Sequence, residues 1–523
     1  MRVLITDSVS EKGVEVLKDA GIKVDINTGL SEDEIANIIG DYDALIVRSQ
    51  TKVTRKILDN ASSLKIIGRA GVGVDNIDLD AATEKGIIVV NAPEGNTIAA
   101  AEHTMAMMLA LARNIPQAHN ALINGTWDRK TYMGVELRNK VLGVLGLGKI
   151  GSQVAKRSLA MEMKVLAYDP FVSSKRAEEL GVELVDLRTI FKNADFITIH
   201  LPLKEDTKKL IDRDAFAVMK PGVRIVNVAR GGIVDEQALY EALKEGKVAG
   251  AAVDVFEKEP MTDSPLFGLK NVVVTPHLGA STKEAQINVA VDVANEIVRY
   301  YRGEAVKNAV NAPSVSPEVM DRLNPYLELS HKMGKFVSQL MGGIEGVKIQ
   351  YNGDIASYEV NVITNSFLRG LLETMLNSAV NLINAPYIAK SRGIKVYESK
   401  TLEAKDYTNL ITVSAEAKEE QLTVSGTVFS NEPRIVRYQG YTMDAVPQGH
   451  MLVVPHIDRP RIIGPVATYL GDHGINIAGM QVGRESAGGQ AIMFLTVDSK
   501  VTDDMLKEIA QMDGILGVKY VYL

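Results

Sequence analysis

The stretch from Lys140 to Asp169 constrains this chain more than any other. Val141, Leu142, Val144 and Leu145 make a short apolar run, and Gly146-Leu147-Gly148-Lys149-Ile150-Gly151 follows at once. A helix-compatible segment then reaches Glu162, and Lys164 to Tyr168 forms a second strand that ends on Asp169. This is one βαβ unit with a G-x-G-x-x-G turn between its first strand and its helix. Each glycine meets a separate need. Gly146 permits the tight turn, Gly148 leaves the backbone open to a pyrophosphate, and Gly151 lets the helix pack close to the strand. The helix N-terminus offers free N–H groups and the positive end of its dipole to those phosphates. Asp169 stands 18 positions beyond Gly151, where a carboxylate accepts hydrogen bonds from both adenosine ribose hydroxyls and repels a 2′-phosphate. The cofactor expected is therefore NAD.

The rest of the chain must be built around that unit. A length of 523 residues exceeds one hydrophobic core, so three or four domains are expected. The net charge is −7 and no Lys/Arg block stands out, which argues against a nucleic-acid partner. No apolar run approaches the roughly 20 residues needed to cross a bilayer. Met1 to Asp7 enters a strand directly, without the marks of a signal peptide, so the expected location is the cytoplasm. Cysteine is absent, which excludes disulfides and thiol nucleophiles. The eight histidines are scattered with no H-x-x-x-H pair, and no metal site is expected.

Residues 1 to 97 alternate short apolar strands (Val3–Thr6, Lys23–Ile26, Ala44–Val47, Leu64–Ile67, Ile87–Val90) with helical spacing, the pattern of a small parallel α/β domain. Thr97 to Arg113 is Ala- and Met-rich and nearly apolar all round, so it reads as a buried crossover helix. The βα alternation then resumes through Phe196–His200, Arg224–Val228, Ala251–Val253 and Val272–Thr275, completing a doubly wound sheet. Ser281 to Tyr301 reads as a long helix running back onto the first domain. That divides the chain into a discontinuous domain of 1–97 with 283–310, a dinucleotide domain of 98–282, a segment of 315–446, and a tail of 450–523. The third segment reads as a helix followed by strands such as Val347–Tyr351, Ala356–Ile363 and Gln421–Val428. The tail has the βαββαβ order of the ferredoxin-like motif.

Three residues beyond the βαβ unit lie at predicted strand ends, where ligands bind in open α/β sheets. They are Arg230 in Val228-Ala229-Arg230-Gly231-Gly232, Glu259 before Pro260, and His277 in Pro276-His277-Leu278-Gly279. Oxidation of a 2-hydroxy acid needs a base for the hydroxyl proton, and an imidazole suits that role. A carboxylate on the other ring nitrogen fixes its tautomer, and an Arg fork holds the substrate carboxylate. Hence His277 is read as acid/base, Glu259 as its partner and Arg230 as the clamp. Each taken singly has a plain structural reading; the three together beside a dinucleotide turn do not. Arg48 and Arg69 follow apolar strands of the first domain and can face the same cleft, where they would hold a phosphoryl group. His103, His119 and His200 read as structural, and His331, His450 and His473 carry no assigned role.

These motifs, with Val47-Arg48-Ser49 and Gly68-Arg69-Ala70-Gly71-Val72-Gly73-Val74-Asp75-Asn76, resemble those of the D-2-hydroxyacid dehydrogenases. The resemblance covers essentially the whole chain and is similar to the long-form branch that oxidises 3-phosphoglycerate with NAD as the first step of phosphorylated serine synthesis. It implies a Rossmann dinucleotide-binding domain, a flavodoxin-like discontinuous substrate domain, an intervening α/β domain and a C-terminal ferredoxin-like ACT domain. By resemblance, Gly146, Gly148, Lys149, Ile150, Gly151, Asp169, Leu201, Val228, Ala229, Arg230, Asp254, His277, Leu278, Gly279 and Ala280 neighbour NAD. Arg48, Ser49, Arg69, Gly71 and Val72 contact substrate, with Arg129 contributed by a neighbouring subunit. Val72 stands where the family often carries Thr, so only backbone contact is left there. The tail implies L-serine as an effector held by His456, Asp458 and Asn476 between paired ACT domains, and hence a homodimer or homotetramer. Two other readings remain open: a glyoxylate or hydroxypyruvate reductase, and a dinucleotide-sensing interaction protein on the same fold.

Overall fold

In the computed structural model, which describes residues 1–313, 317–376, 379–403, 406–418, 420–484 and 486–523, the Gly146–Gly151 turn lies in the middle of a seven-stranded parallel sheet. From one edge to the other its strands are Val272–Val274, Val248–Val253, Val223–Asn227, Phe196–Ile199, Val141–Leu145, Lys164–Tyr168 and Glu183–Leu184. The strand order reverses direction at Val141–Leu145, which has Phe196–Ile199 on one side and Lys164–Tyr168 on the other. Such a switch point opens a crevice at the carboxyl ends of the strands. Helix Lys149–Ala160 follows the turn and buries Gly151, Val154, Ala155 and Ser158. That spacing of three, four and seven keeps one helical face on the sheet. The crossover helix Thr97–Arg113 lies in the same layer, and Met105, Met107, Met108 and Leu111 join Val144 and Val154 in one apolar cluster.

A second parallel sheet has five strands in the order Lys23–Ile26, Arg2–Ile5, Ala44–Val47, Ile66–Arg69 and Ile88–Asn91. This is the flavodoxin-like 2-1-3-4-5 arrangement. The fourth strand runs two residues later than the apolar pattern suggests, because pairing with its neighbour begins only at Ala44 with Ile66. Arg69 is therefore the strand's last residue and stands at the carboxyl edge of the sheet.

Helix Lys283–Tyr301 returns to this sheet and places Val289, Val293, Ala294 and Ile297 among Val3, Ile5, Val14 and Leu17. The fit needs glycine: a Cβ on Gly13 would sit 2.7 Å from the Ala290 carbonyl oxygen. Beyond the helix, Ala309 bridges Val90 and Val310 N donates to Val89 O, covering the sheet's edge. Buried Glu296 pins the same strap by accepting from Lys307 N at 2.7 Å.

The C-terminal half holds two further sheets among the described residues. A six-stranded mixed sheet runs Lys395–Thr401, Gly346–Gly353, Asn409–Glu416, Gln421–Phe429, Glu432–Tyr438 and Tyr441–Ala445. Helices Pro317–Leu340 and Asn361–Glu373 pack together beside it. The span Ala356–Ile363 is not a strand. A 3₁₀ turn over Asp354–Ser357 leads into the helix, because Ile363, Phe367 and Leu371 repeat at helical spacing and all are buried. The last sheet is antiparallel, in the order Ile477–Arg484, Gln490–Val497, His450–Ile457 and Lys519–Tyr522, with helices Ile463–Asp472 and Asp503–Ala510 completing βαββαβ. Phe336 of the long helix stacks on Phe494 of this sheet at 6.2 Å, so the two C-terminal units share a core.

Candidate active site

The phosphate-facing turn has the local geometry its glycines suggest. Gly146 sits at φ +93°, in the region that side chains rarely adopt, and a Cβ on Gly151 would lie 2.0 Å from the Gly146 carbonyl oxygen. Around Gly148 a Cβ would meet nothing within 4 Å, so the cradle is open there. No side chain caps helix Lys149–Ala160, and its first N–H groups remain available to an anion. Asp169 ends its strand with Oδ2 accepting from Leu147 N at 2.8 Å and Oδ1 from Phe171 N at 2.9 Å. This donor set fits a dinucleotide: open N–H groups for the pyrophosphate and an anchored carboxylate for the ribose. Leu201 lines the turn beside Gly146. Lys149 pairs with Glu94 of the interlobe crossover at 2.8 Å.

A cleft of about 630 Å³ opens between the two parallel sheets, lined by Ser49, Lys52, Arg69, Asp75, Asn76, Arg230, Gly231, Phe256, Glu259 and His277 among others. His277 Nδ1 lies 2.7 Å from Glu259 Oε2, and Glu259 Oε1 accepts from Phe256 N at 3.1 Å. The imidazole is thus tied through one nitrogen to a carboxylate that is itself tied to the backbone.

His277 adopts φ +56°, and its N–H donates to Asp254 O at 2.9 Å. Asp254 is fully buried and accepts from Leu278 N, Gly279 N and Thr275 Oγ1 at 2.7, 2.9 and 2.6 Å. Burial alone would raise its carboxyl pKa, but His103, Thr275 and Leu278 N donate to it and hold it below the ordinary value. Asp254 therefore shapes the loop that carries His277.

The turn carrying Val228, Ala229 and Arg230 is held by buried Asn227, whose side chain accepts from Ala229 N and donates to Arg230 O. A Cβ on Gly231 would lie 1.9 Å from the Phe256 carbonyl oxygen, so only glycine lets this turn abut the Glu259 loop. Across the cleft, Gly71 adopts φ +154° and leaves room for the Arg69 guanidinium, whose Nη1 would be 1.5 Å from a Cβ there. Arg69 Nε is shut off from solvent without a hydrogen-bond partner. Burial, then the like charges of Arg230 and Arg48, push its pKa down to about 10. Buried Asp7 accepts from Arg48 N and from both Thr51 N and Oγ1, while Asn76 donates to the Arg48 and Thr51 carbonyls. These bonds hold the loop that brings Ser49 and Lys52 into the cleft.

Sequence reasoning missed Lys52, Asp7 and Asp75; His103, read as structural, has its Nε2 3.3 Å from Asp254 Oδ1. Asp75 and Asn76 had a visible signal, since both stand in the glycine-rich run after Arg69. Arg129 lies in an exposed stretch outside the cleft lining of its own chain.

In the C-terminal sheet His456 is 1% exposed and its Nδ1 faces the Val454 carbonyl at 3.2 Å, so the ring points into the fold. Asp458 sits at the Gln490 end of the sheet beside Arg484 and Gly488. Asn476 sits at the Val497 end, donating to Asp498. Eight-residue strands separate these ends by roughly 25 Å, so one chain does not bring the three together. A metal cluster of His and carboxylates is absent among the described residues.

Residues 105–279 match the family described as D-isomer specific 2-hydroxyacid dehydrogenase, NAD binding domain. Residues 322–439 match the D-3-phosphoglycerate dehydrogenase intervening domain, and residues 450–514 the ACT domain. The chain is 48% identical to a D-3-phosphoglycerate dehydrogenase of Archaeoglobus fulgidus and 47% identical to one of Methanocaldococcus jannaschii, each alignment covering 100% of both chains. Among solved structures, a D-lactate dehydrogenase from Aquifex aeolicus complexed with NAD and lactic acid is 30% identical, with TM-score 0.54 over 60% of this chain and 100% of that one.

Proposed function

This chain belongs to the D-3-phosphoglycerate dehydrogenases, and from that premise we propose that Arg230, Glu259 and His277 carry out its chemistry, with Arg48, Ser49, Lys52 and Arg69 receiving the anionic ends of the substrate. The protein is an NAD-dependent oxidoreductase that converts 3-phosphoglycerate to 3-phosphohydroxypyruvate. The observation that carries the assignment of residues is the 2.7 Å bond between His277 Nδ1 and Glu259 in a cleft walled by Arg69 and Arg230.

With Nδ1 donating to Glu259, Nε2 is the nitrogen left to take the proton from the C2 hydroxyl. Glu259 stabilises the imidazolium that results. Arg230 holds the substrate carboxylate so that C2 faces the cofactor side, and the half-buried Arg69 meets the phosphoryl group at the opposite wall. NAD, held by the Gly146–Gly151 turn and Asp169, supplies the hydride acceptor. Arg69 favours a phosphorylated substrate over glyoxylate or unphosphorylated hydroxypyruvate, because its desolvated charge has no carboxylate partner among the described residues. NADH production from 3-phosphoglycerate and from glycerate, measured side by side, tests this; equal kcat/KM for the two would refute the phosphate assignment.

We further propose that the C-terminal ACT domain binds L-serine between two chains, and that the protein works as a homodimer or homotetramer. The opposite placement of Asp458 and Asn476 supports this, since an antiparallel pairing of two copies juxtaposes unlike ends. Isothermal titration of serine into the full-length protein should give binding that Asp458→Ala and Asn476→Ala each weaken. Among the described residues no helix is long and apolar enough to cross a membrane, and a cytoplasmic location is part of this reading.

A further inference from the structure

Arg230 and Asp75 come from opposite walls of the cleft and stand 155 positions apart, yet Arg230 Nε donates to Asp75 Oδ2 at 3.2 Å. Arg230 Nη1 donates to Ala229 O at 2.7 Å, within its own loop. Nη2 lies over Gly73, where a Cβ would come within 2.1 Å of it. The guanidinium therefore occupies a seat made by Gly73 and Asp75 of the other lobe. Asp75 itself is 71% exposed, so this pair gains little from a low dielectric. A carboxylate on so exposed a side chain can be displaced by a second carboxylate that arrives with further contacts.

We propose that Asp75 is a positioning residue that stands in for the carboxylate of the substrate: it holds Arg230 across the cleft until a 2-hydroxy acid takes over the guanidinium edge. This rests on the reading of Arg230 as the substrate clamp. The two carboxylates compete for one Nε–H and repel each other, so binding substrate requires Asp75 to release. A residue that merely supports the fold would have the opposite effect on removal, because Arg230 would lose its place and substrate would bind more weakly. The sign of the change in affinity separates the two.

The test titrates 3-phosphoglycerate into the full-length enzyme saturated with NADH, a pair that cannot react, and measures kcat and KM separately from NADH production. Asp75→Asn, which keeps a hydrogen-bonding group but removes the charge, should lower both Kd and KM roughly two- to fivefold. Asp75→Ala should do at least as much, with kcat within about twofold of the parent. In an Arg230→Ala background Asp75→Asn should change neither Kd nor KM. A rise in Kd in both Asp75 variants overturns the proposal, as does an Asp75→Asn effect that survives without Arg230. Arg230→Ala leaving Kd, KM and kcat untouched would overturn the clamp reading beneath it, a result distinct from the other two.

Discussion

Arg69→Met should make the substrate-free protein more stable and a worse enzyme. Among the described residues Arg69 Nε is buried without a partner, and the one hydrogen bond its guanidinium makes is a long one, Nη1 to Ala70 O at 3.5 Å. An unsatisfied buried donor costs about 1–3 kcal/mol, and more when charged. Burial and the neighbouring charges of Arg230 and Arg48 add to that cost, which is why its pKa is pushed down to about 10. Methionine keeps most of the apolar stem and removes the charge.

The free lobe should therefore gain about 1–2 kcal/mol, raising its melting midpoint by about 3–6 °C. Binding moves the other way: losing charge-assisted bonds worth about 1.5–3 kcal/mol raises KM for 3-phosphoglycerate by about 10- to 150-fold. The pH dependence follows from the sign of the shift. A base whose folded pKa lies below its unfolded one weakens the fold fully at pH values under about 10, and the cost fades only as pH rises through that value. The stability gap between variant and parent should thus be constant from pH 6 to 8. Thermal scans with and without saturating substrate, beside steady-state kinetics, decide it. A variant that melts lower without substrate, or one whose KM is unchanged, would refute the reasoning.

His277→Ala should reduce kcat by about 10²- to 10⁴-fold with NAD binding intact, measured by NADH production and by cofactor titration. Glu259→Gln keeps a hydrogen-bonding group but not the charge and should lose about 10- to 100-fold in kcat, with the double variant no worse than His277→Ala alone, since the pair acts as a unit. Asp254→Asn should destabilise by about 1–3 kcal/mol at neutral pH, because an amide cannot accept all the bonds that the carboxylate accepts. Its carboxyl is held low in the folded state, so the stabilisation is complete above about pH 4 and is lost as pH falls through the folded value. The gap to the parent in denaturant melts should narrow in acid. Gly231→Ala must push the Phe256 carbonyl and the Glu259 loop aside at a cost of about 1–3 kcal/mol, and kcat should fall more than Tm suggests.

What could be read from the sequence follows the range of the interactions concerned. The dinucleotide turn was legible because its requirements are local: a left-handed φ at Gly146, a close carbonyl at Gly151, and an acid one strand later. Arg230, Glu259 and His277 were legible as strand-end residues of suitable chemistry, although nothing in the chain order says that Glu259 and His277 touch. Long-range pairs were not legible. Asp7 organises a loop 41 to 44 positions away, and Asp75 meets Arg230 across 155. The strand assigned to Ala356–Ile363 failed for another reason. Val360, Val362 and Ile363 are apolar and β-branched, which suits either structure, and only the later Phe367 and Leu371 reveal the helical period.

The cleft collects groups that do little for one another until an anion arrives. Arg69 is desolvated beside two further cations, Arg230 leans on an exposed carboxylate of the other lobe, and His277 is held at positive φ by a loop that buried Asp254 must organise. Stability comes from elsewhere: the apolar faces of Thr97–Arg113 and Lys283–Tyr301 lock each sheet to its helices. This division explains why glycines line the site. Gly71, Gly73, Gly151 and Gly231 each sit where a Cβ would come within about 2 Å of a guanidinium nitrogen or a carbonyl oxygen. A chain free to optimise its stability would fill those positions and pair those arginines internally. On the proposed reading, leaving the cations poorly satisfied and closely seated suits the cleft to a phosphorylated three-carbon acid, which brings a carboxylate and a phosphate to them together.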